Sequence, residues 1–197
     1  MVMLMAGFET TSNSLSYVTH FLANHRDVQD KLREEIEGVC GSEEEVDYDR
    51  LAEMKYAECV IKESLRFYPL ASFVVARECV NDCVVGGRQM NKGDIVWTDT
   101  WGLHMDKEVW GEDAEEFRPE RWFEESSRSR IAFQAFGEGP RICLGMRLAY
   151  LEEKIALIHL LRRFNIHKSE RTNPLKLVGS ITVAPSQVMV KIVPRKK

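Results

Sequence analysis

Ten consecutive residues, Phe136-Gly-Glu-Gly-Pro-Arg-Ile-Cys-Leu-Gly145, constrain the fold of this chain more than any other stretch. They place one cysteine on a glycine-framed loop directly before a segment of helical periodicity. Gly137, Gly139 and Gly145 permit a left-handed backbone or a close approach that a side chain would resist, and Pro140 fixes one φ angle between them. From Arg147 through Phe164, apolar residues at Leu148, Leu151, Ile155, Ile158 and Leu161 predict a helix with that stripe as its apolar face. The N-terminal amides and dipole of such a helix face Cys143, a setting that lowers a thiol's pKa and favours the anionic sulfur that ligates metals.

Other chemistries for this loop are weaker. A dinucleotide fingerprint needs a third glycine where Ile142 stands. A phosphate-cradling cysteine loop needs its arginine farther away than Arg147, and an inert core cysteine, a common state of free cysteines, is the bland alternative that the other motifs outweigh. Two more segments bear on the choice. In Lys62-Glu63-Ser64-Leu65-Arg66, Glu63 and Arg66 share a helical face, an arrangement that is usually a surface ion pair of little energetic consequence. Here the flanking Val60, Ile61, Leu65 and Tyr68 make the helix apolar around much of its circumference, which favours burial. In Ala6-Gly7-Phe8-Glu9-Thr10-Thr11, continued by Leu15, Val18 and Leu22, a glycine interrupts a helical pattern and suggests close approach to the backbone. Thr10 can turn its hydroxyl back to a carbonyl one turn earlier and bend the helix.

Phe136, Gly139, Arg141, Cys143 and Gly145 together resemble the heme-binding signature of the cytochrome P-450 family of heme-thiolate monooxygenases. The resemblance implies heme, thiolate-ligated iron protoporphyrin IX, as the cofactor. It makes Cys143 the axial iron ligand, sets Arg141 against a heme propionate, packs Phe136 near the thiolate, and leaves Gly139 and Gly145 to shape the cofactor-binding loop. The Glu63-x-x-Arg66 pair looks like the family's K-helix motif, and Pro119-Glu120-Arg121-Trp122 like the downstream segment that adds Arg121, giving a buried structural triad beneath the loop. The opening helix resembles the family's I helix, where an acid and an alcohol, here Glu9 and Thr10, help deliver protons at the oxygen-binding face of the heme. Arg77 resembles a strand arginine that meets the second propionate. Ala6, Leu70, Ala71 and Ile181 fall in segments resembling the family's substrate-contacting regions.

Between these motifs, Asp27 to Val39 reads as an amphipathic helix with Val28, Leu32, Ile36 and Val39 on its packing face. Gly41 to Asp49 reads as an acidic loop. Ser72 to Val85 and Gly87 to Trp101 read as short-stranded hairpins broken at Gly86-Gly87 and Lys92-Gly93, and Leu175 to Pro194 as another, with Gly179 at a turn. The expected fold class is mainly α with small β-sheets, resembling the C-terminal part of the cytochrome P-450 fold from the I helix through the heme-binding loop, the L helix and the C-terminal hairpins.

A chain of 197 residues with 44% hydrophobic and 29% charged residues can bury a core, and its net charge of −4 and pI near 5.8 argue against a general nucleic-acid binder. Arg128, Arg130, Arg147, Lys154, Arg162 and Arg163 cluster in sequence around the cysteine loop. They suggest a basic face for an acidic electron-donor protein, by resemblance an NADPH-dependent reductase. The five cysteines make no disulfide or zinc framework, since Cys79-x-x-x-Cys83 lacks a second ligand pair, and a reducing compartment is expected. The five histidines form no metal-binding pair at helical spacing, no run reaches transmembrane length, and Met1 to Met5 lacks a signal peptide's basic start.

The resemblance runs through residues 1–197 as a single segment, the C-terminal part of a larger domain whose N-terminal helices are not in this sequence. It implies a truncated product or gene-model fragment whose full-length relatives sit on the cytosolic face of the endoplasmic reticulum membrane. Two functions are then in play. One is a monooxygenase that inserts one atom of O2 into an apolar organic substrate, a lipid, steroid or xenobiotic. The other is a non-catalytic fragment with weak or no heme binding. Peroxide rearrangement on the same fold is less favoured, because it leaves the acid–alcohol pair without a task.

Overall fold

The computed structural model describes residues 2–41, 46–71, 76–124, 129–172, 174–179 and 182–195. Four long helices carry the core: α1 (Val2–Asn24), α2 (Arg26–Cys40), α4 (Lys55–Phe67) and α7 (Met146–Arg163), with short helices α3 (Tyr48–Glu53), α5 (Thr100–Met105) and α6 (Lys107–Trp110) between them. Tyr17, Val18 and Leu22 of α1, Leu32 and Ile36 of α2, Val60, Ile61 and Leu65 of α4, and Leu157, Ile158 and Leu161 of α7 meet in one apolar cluster. A smaller cluster of Trp110, Ala114 and Ala132 lies beside it. The chain is mainly helical with small antiparallel sheets.

The strands are short and nested. β1 (Ala76–Glu78) pairs with β4 (Ile95–Trp97), and between them β2 (Cys83–Val85) pairs with β3 (Arg88–Met90). The β2–β3 turn is Gly86-Gly87, both at positive φ (55° and 77°), where glycine alone avoids a steric penalty. The expected strand character through Trp101 ends sooner. Asp99 accepts the Gly102 N–H at 2.9 Å and caps α5 from Thr100 onward. β6 (Leu177–Val178) pairs with β7 (Ala184–Pro185), and Gly179 between them has φ 115°. β5 (Phe164–His167) follows α7 directly and pairs with β8 (Lys191–Pro194). Phe164, which the periodicity assigned to the helix, is in fact the first strand residue.

Polar side chains join these elements where apolar packing cannot. The Glu35 carboxylate of α2 accepts the backbone N–H groups of Tyr56 and Ala57 at 2.6 and 2.8 Å, capping the otherwise unsatisfied first turn of α4. Gln29, fully buried on α2, donates to the carbonyls of Leu22 and Ile166 and accepts the Ile166 N–H, tying α1, α2 and β5 together. The α2 packing face is thus wider than its apolar residues suggest. Gln29→Ala strands three buried backbone groups and should cost about 2 kcal/mol of stability, read from the midpoint shift in urea unfolding at unchanged slope.

The α7 face is rotated from the one expected. Glu153, Lys154, Leu157, Ile158 and Leu161 are buried, whereas Leu148 is 59% and Ile155 40% exposed. Two basic residues of α7 find partners on other elements, Lys154 buried and Arg162 half-buried. Lys154 donates to the Leu51 carbonyl at 3.0 Å and pairs with Glu58 at 3.3 Å. Arg162 donates to the carbonyls of Cys40 and Gly41 at the C-terminus of α2. The expected basic face is therefore thinner than its sequence cluster, since Lys154 and Arg162 serve the interior. Arg128 lies outside the described residues.

Candidate functional site

The cysteine loop is shaped by its own backbone. The Gly137 N–H donates to Gln134 O at 3.0 Å, Ile142 N–H to Gly139 O at 3.1 Å, and Cys143 N–H to Phe136 O at 2.9 Å. Gly137 and Gly139 have φ of 72° and 76°, so the expectation of left-handed glycines holds at both. It does not hold at Gly145, which has φ −86°, conformationally open to any residue, and no atom within 4 Å of the position its Cβ would take. Gly7 likewise has no neighbour within 4 Å there, so close approach of another described segment is not the reason for glycine in α1. Gly145 is the N-cap of α7, which leaves Cys143 two residues ahead of the helix, its carbonyl accepting the Met146 N–H at 3.4 Å. The Phe136 ring leans on Tyr150 of α7, centroids 5.2 Å apart.

Cys143 opens into a cavity of about 620 Å³, within the usual range for small-molecule and cofactor sites. Thr10, Thr11 and Ser14 of α1 and Leu65 of α4 form part of its wall, with Leu70 and Ala71 just beyond α4. Ala76, Arg77 and Glu78 come from β1, Ala135, Phe136, Gly137 and Arg141 from the loop, and Ala149 and Glu153 from α7. Of the residues singled out in the sequence, Thr10, Leu70, Ala71, Arg77, Phe136, Arg141 and Cys143 converge here. Arg141 has no side-chain partner among the described residues, and Arg77 donates only to the carbonyl of its own neighbour, Ala76, at 2.8 Å. Two guanidinium groups without carboxylate partners thus lie on the wall of a largely apolar space.

Other expected residues stand elsewhere. Thr10 donates to Ala6 O at 2.5 Å, as its position suggested, and Ala6 itself is exposed and off the cavity wall. Glu9 is exposed too, its carboxylate accepting the Thr182 hydroxyl at 2.9 Å. Gly139 and Gly145 shape the loop without lining the cavity, and Ile181 lies outside the described residues.

The Glu63, Arg66 and Arg121 side chains are all fully buried. Glu63 pairs with Arg66 and Arg121, each at 2.9 Å, and also accepts the Trp122 indole N–H at 2.9 Å and the Arg118 backbone N–H at 3.1 Å. A histidine connects this network to the cysteine loop. His104 Nε2 accepts the Gln134 N–H at 2.8 Å, which makes Nδ1 the protonated nitrogen, donating to Arg66 O at 3.0 Å. Gln134 O in turn accepts the Gly137 N–H. Burial holds the His104 pKa down, at about 4, so the imidazole stays neutral and keeps its acceptor at neutral pH.

Sequence reasoning missed His104, Ser14 and Glu153. The carboxyl of Glu153, 1% exposed on the cavity wall, accepts the Ser14 hydroxyl at 3.0 Å, and burial pushes its pKa up to about 8. The signal for Glu153 was present: it lies in helical register with Leu157 and Leu161, two positions from Leu151 and Ile155 of the expected stripe. No local pattern marks His104, because its partners come from segments 30 and 38 residues away.

Comparison with known proteins gives the family. The cytochrome P450 family model matches residues 1–192. Three Caenorhabditis elegans proteins that carry cytochrome P450 names, CYP13A5, CYP13A4 and CYP13A3, are 50%, 49% and 48% identical over 98% of this chain. The chain spans 38% of the length of each. With a glycine-framed cysteine and two unpaired arginines around one cavity and a family match over nearly its whole length, the chain belongs to the cytochrome P450 family.

Proposed function

We propose that this chain supplies the thiolate-bearing part of a monooxygenase that inserts one atom of O2 into an apolar organic substrate, a lipid, steroid or xenobiotic. Electrons come from a redox partner, an NADPH-dependent reductase. The single observation that carries the reading is the cavity that brings Cys143, Arg141 and Arg77 together. Its chemistry fits heme: a sulfur for iron, apolar walls for a flat macrocycle, and two uncompensated guanidinium groups for two propionates. When bound, thiolate-ligated heme would supply oxygen activation.

The chain's own residues divide the remaining tasks. Cys143 Sγ would hold the iron, and the Phe136–Cys143 backbone hydrogen bond keeps that sulfur placed. Thr10 puts the alcohol of the acid–alcohol pair on the cavity wall. Glu9, exposed and bonded to Thr182, is the outer acid, exchanging protons with solvent before they reach Thr10. Leu70 and Ala71 give the substrate an apolar wall. The working enzyme, by this reading, is a longer protein with this segment at its C-terminal end, on the cytosolic face of the endoplasmic reticulum membrane. No helix among the described residues is long and apolar enough to cross a membrane.

The test is a reduced-plus-carbon-monoxide difference spectrum of the hemin-reconstituted chain beside Cys143→Ala. A strongly red-shifted Soret band that the variant lacks is the expected result. Identical unshifted spectra, or no heme uptake by either protein, would show that the isolated chain builds no thiolate-ligated heme site and favour the non-catalytic fragment.

A further inference from the structure

Directly after the cavity-lining strand β1, Cys79 in the turn meets Cys83 at the start of β2. Cys79 Sγ and Cys83 Sγ are 3.4 Å apart, and the Cys79 thiol also lies 2.8 Å from Asn81 O. Cys83 is exposed and Cys79 half-buried, whereas Cys40 and Cys59 are buried in the core. The backbone around the pair is pinned from several directions. The Cys79 N–H donates to Asp94 O at 2.8 Å and Cys79 O accepts the Gly93 N–H at 2.7 Å, extending the β1–β4 ladder. Asp82 accepts the Lys92 N–H at 2.8 Å, and Cys83 is held opposite Met90 in β2–β3. A disulfide requires sulfurs about 2.0 Å apart, so the pair must close by about 1.4 Å to form one.

We propose that Cys79 and Cys83 form a reactive dithiol site that small disulfide oxidants, of which glutathione disulfide is the type, convert to an intramolecular disulfide. The Cys83 thiolate attacks one sulfur of the oxidant, giving a mixed disulfide and releasing one glutathione thiolate. The Cys79 thiolate then attacks Cys83 Sγ, forming the protein disulfide and releasing the second glutathione. Two protein thiols lose two electrons and two protons, and the oxidant gains both as two thiols. The order follows from access, because Cys83 is the more exposed sulfur. Hydrogen bonding to Cys83 raises the Cys79 thiol above its ordinary value, which disfavours its thiolate for the first attack. Neither sulfur belongs to the cavity wall, so the site is independent of the heme reading.

The experiment is intact-mass analysis and peptide mapping of the 197-residue protein, folded as judged by circular dichroism, after graded glutathione disulfide. The wild type should lose two hydrogens without keeping a glutathione adduct and yield a Cys79–Cys83 cross-linked peptide before any other cysteine reacts. Cys79→Ser and Cys83→Ser should each lose that cross-link, with a lasting glutathione adduct on the remaining thiol. Phenylarsine oxide, which bridges paired thiols, should add one equivalent at this turn in the wild type and none there in either variant. A stable mixed disulfide on wild-type Cys83 with no cross-link, or a first cross-link that uses Cys143, would overturn the proposal.

Discussion

Glu63→Ala is expected to cost about 3–5 kcal/mol of folding stability, a large share of the margin of an ordinary domain. Five donors converge on this one fully buried carboxylate: Arg66 Nε and Nη2, Arg121 Nε, the Trp122 indole and the Arg118 backbone N–H. Removing it leaves Arg66 with no carboxylate partner among the described residues, and Arg121 with its bonds to Asp113 and to the carbonyls of Trp110 and Glu116. An uncompensated guanidinium in the core is the costly outcome. Glu63→Gln keeps the shape but turns an amide N–H₂ toward donors, so it should lose nearly as much. Asp113→Asn should lose much less, since that carboxylate is 29% exposed and water can take its place. Urea unfolding of the three variants checks the ranking. A Glu63→Ala protein within about 1 kcal/mol of wild type would show that the network is not closed as described. Because His104 links Arg66 O to Gln134 N–H, the same substitution should also loosen the cysteine loop.

The second large effect concerns pH. The Glu153 carboxyl ionises near 4.5 in an unfolded chain but near 8 in the fold, where burial disfavours the charged form and only Ser14 bonds it. Between those values the native state holds a proton that the unfolded state has released. Stability therefore falls as pH rises from about 4.5 to about 8, and below this window the group imposes no penalty. Glu153→Gln keeps an oxygen for the Ser14 hydroxyl and carries no charge. The variant should gain stability over wild type progressively through that window, on the order of 3 kcal/mol at its upper end, and match it near pH 4. Thermal unfolding of both proteins from pH 4 to 9 gives the difference curve. A flat difference would mean that water reaches Glu153 freely through the cavity.

Much of the site was legible before any coordinates. The Cys143 loop announced itself through Gly137 and Gly139, and both adopt the positive φ that their identity permits. The Gly86-Gly87 turn and the Asp27–Val39 packing face were legible for the same local reasons. Errors arose where one residue's environment depends on distant segments. Leu148 and Ile155 looked like core on α7 but are solvent-facing, because Glu153 and Lys154 hold the inward positions with partners from α1, α4 and the α3 region. Lys154 and Arg162 looked like a docking face and instead neutralise or cap interior groups.

The sequence by itself determined the family, the identity of the sulfur that faces the cavity, and the backbone bends around it, since glycine, proline and short-range periodicity act within a few residues of where they stand. Only the tertiary structure decided which charges are buried together. The Glu63–Arg121 pair spans 58 residues, and a buried charge is tolerated only where such a partner arrives; Glu153, met across 139 residues by the uncharged Ser14, keeps its proton instead. That meeting is a property of packed helices and not of any local pattern.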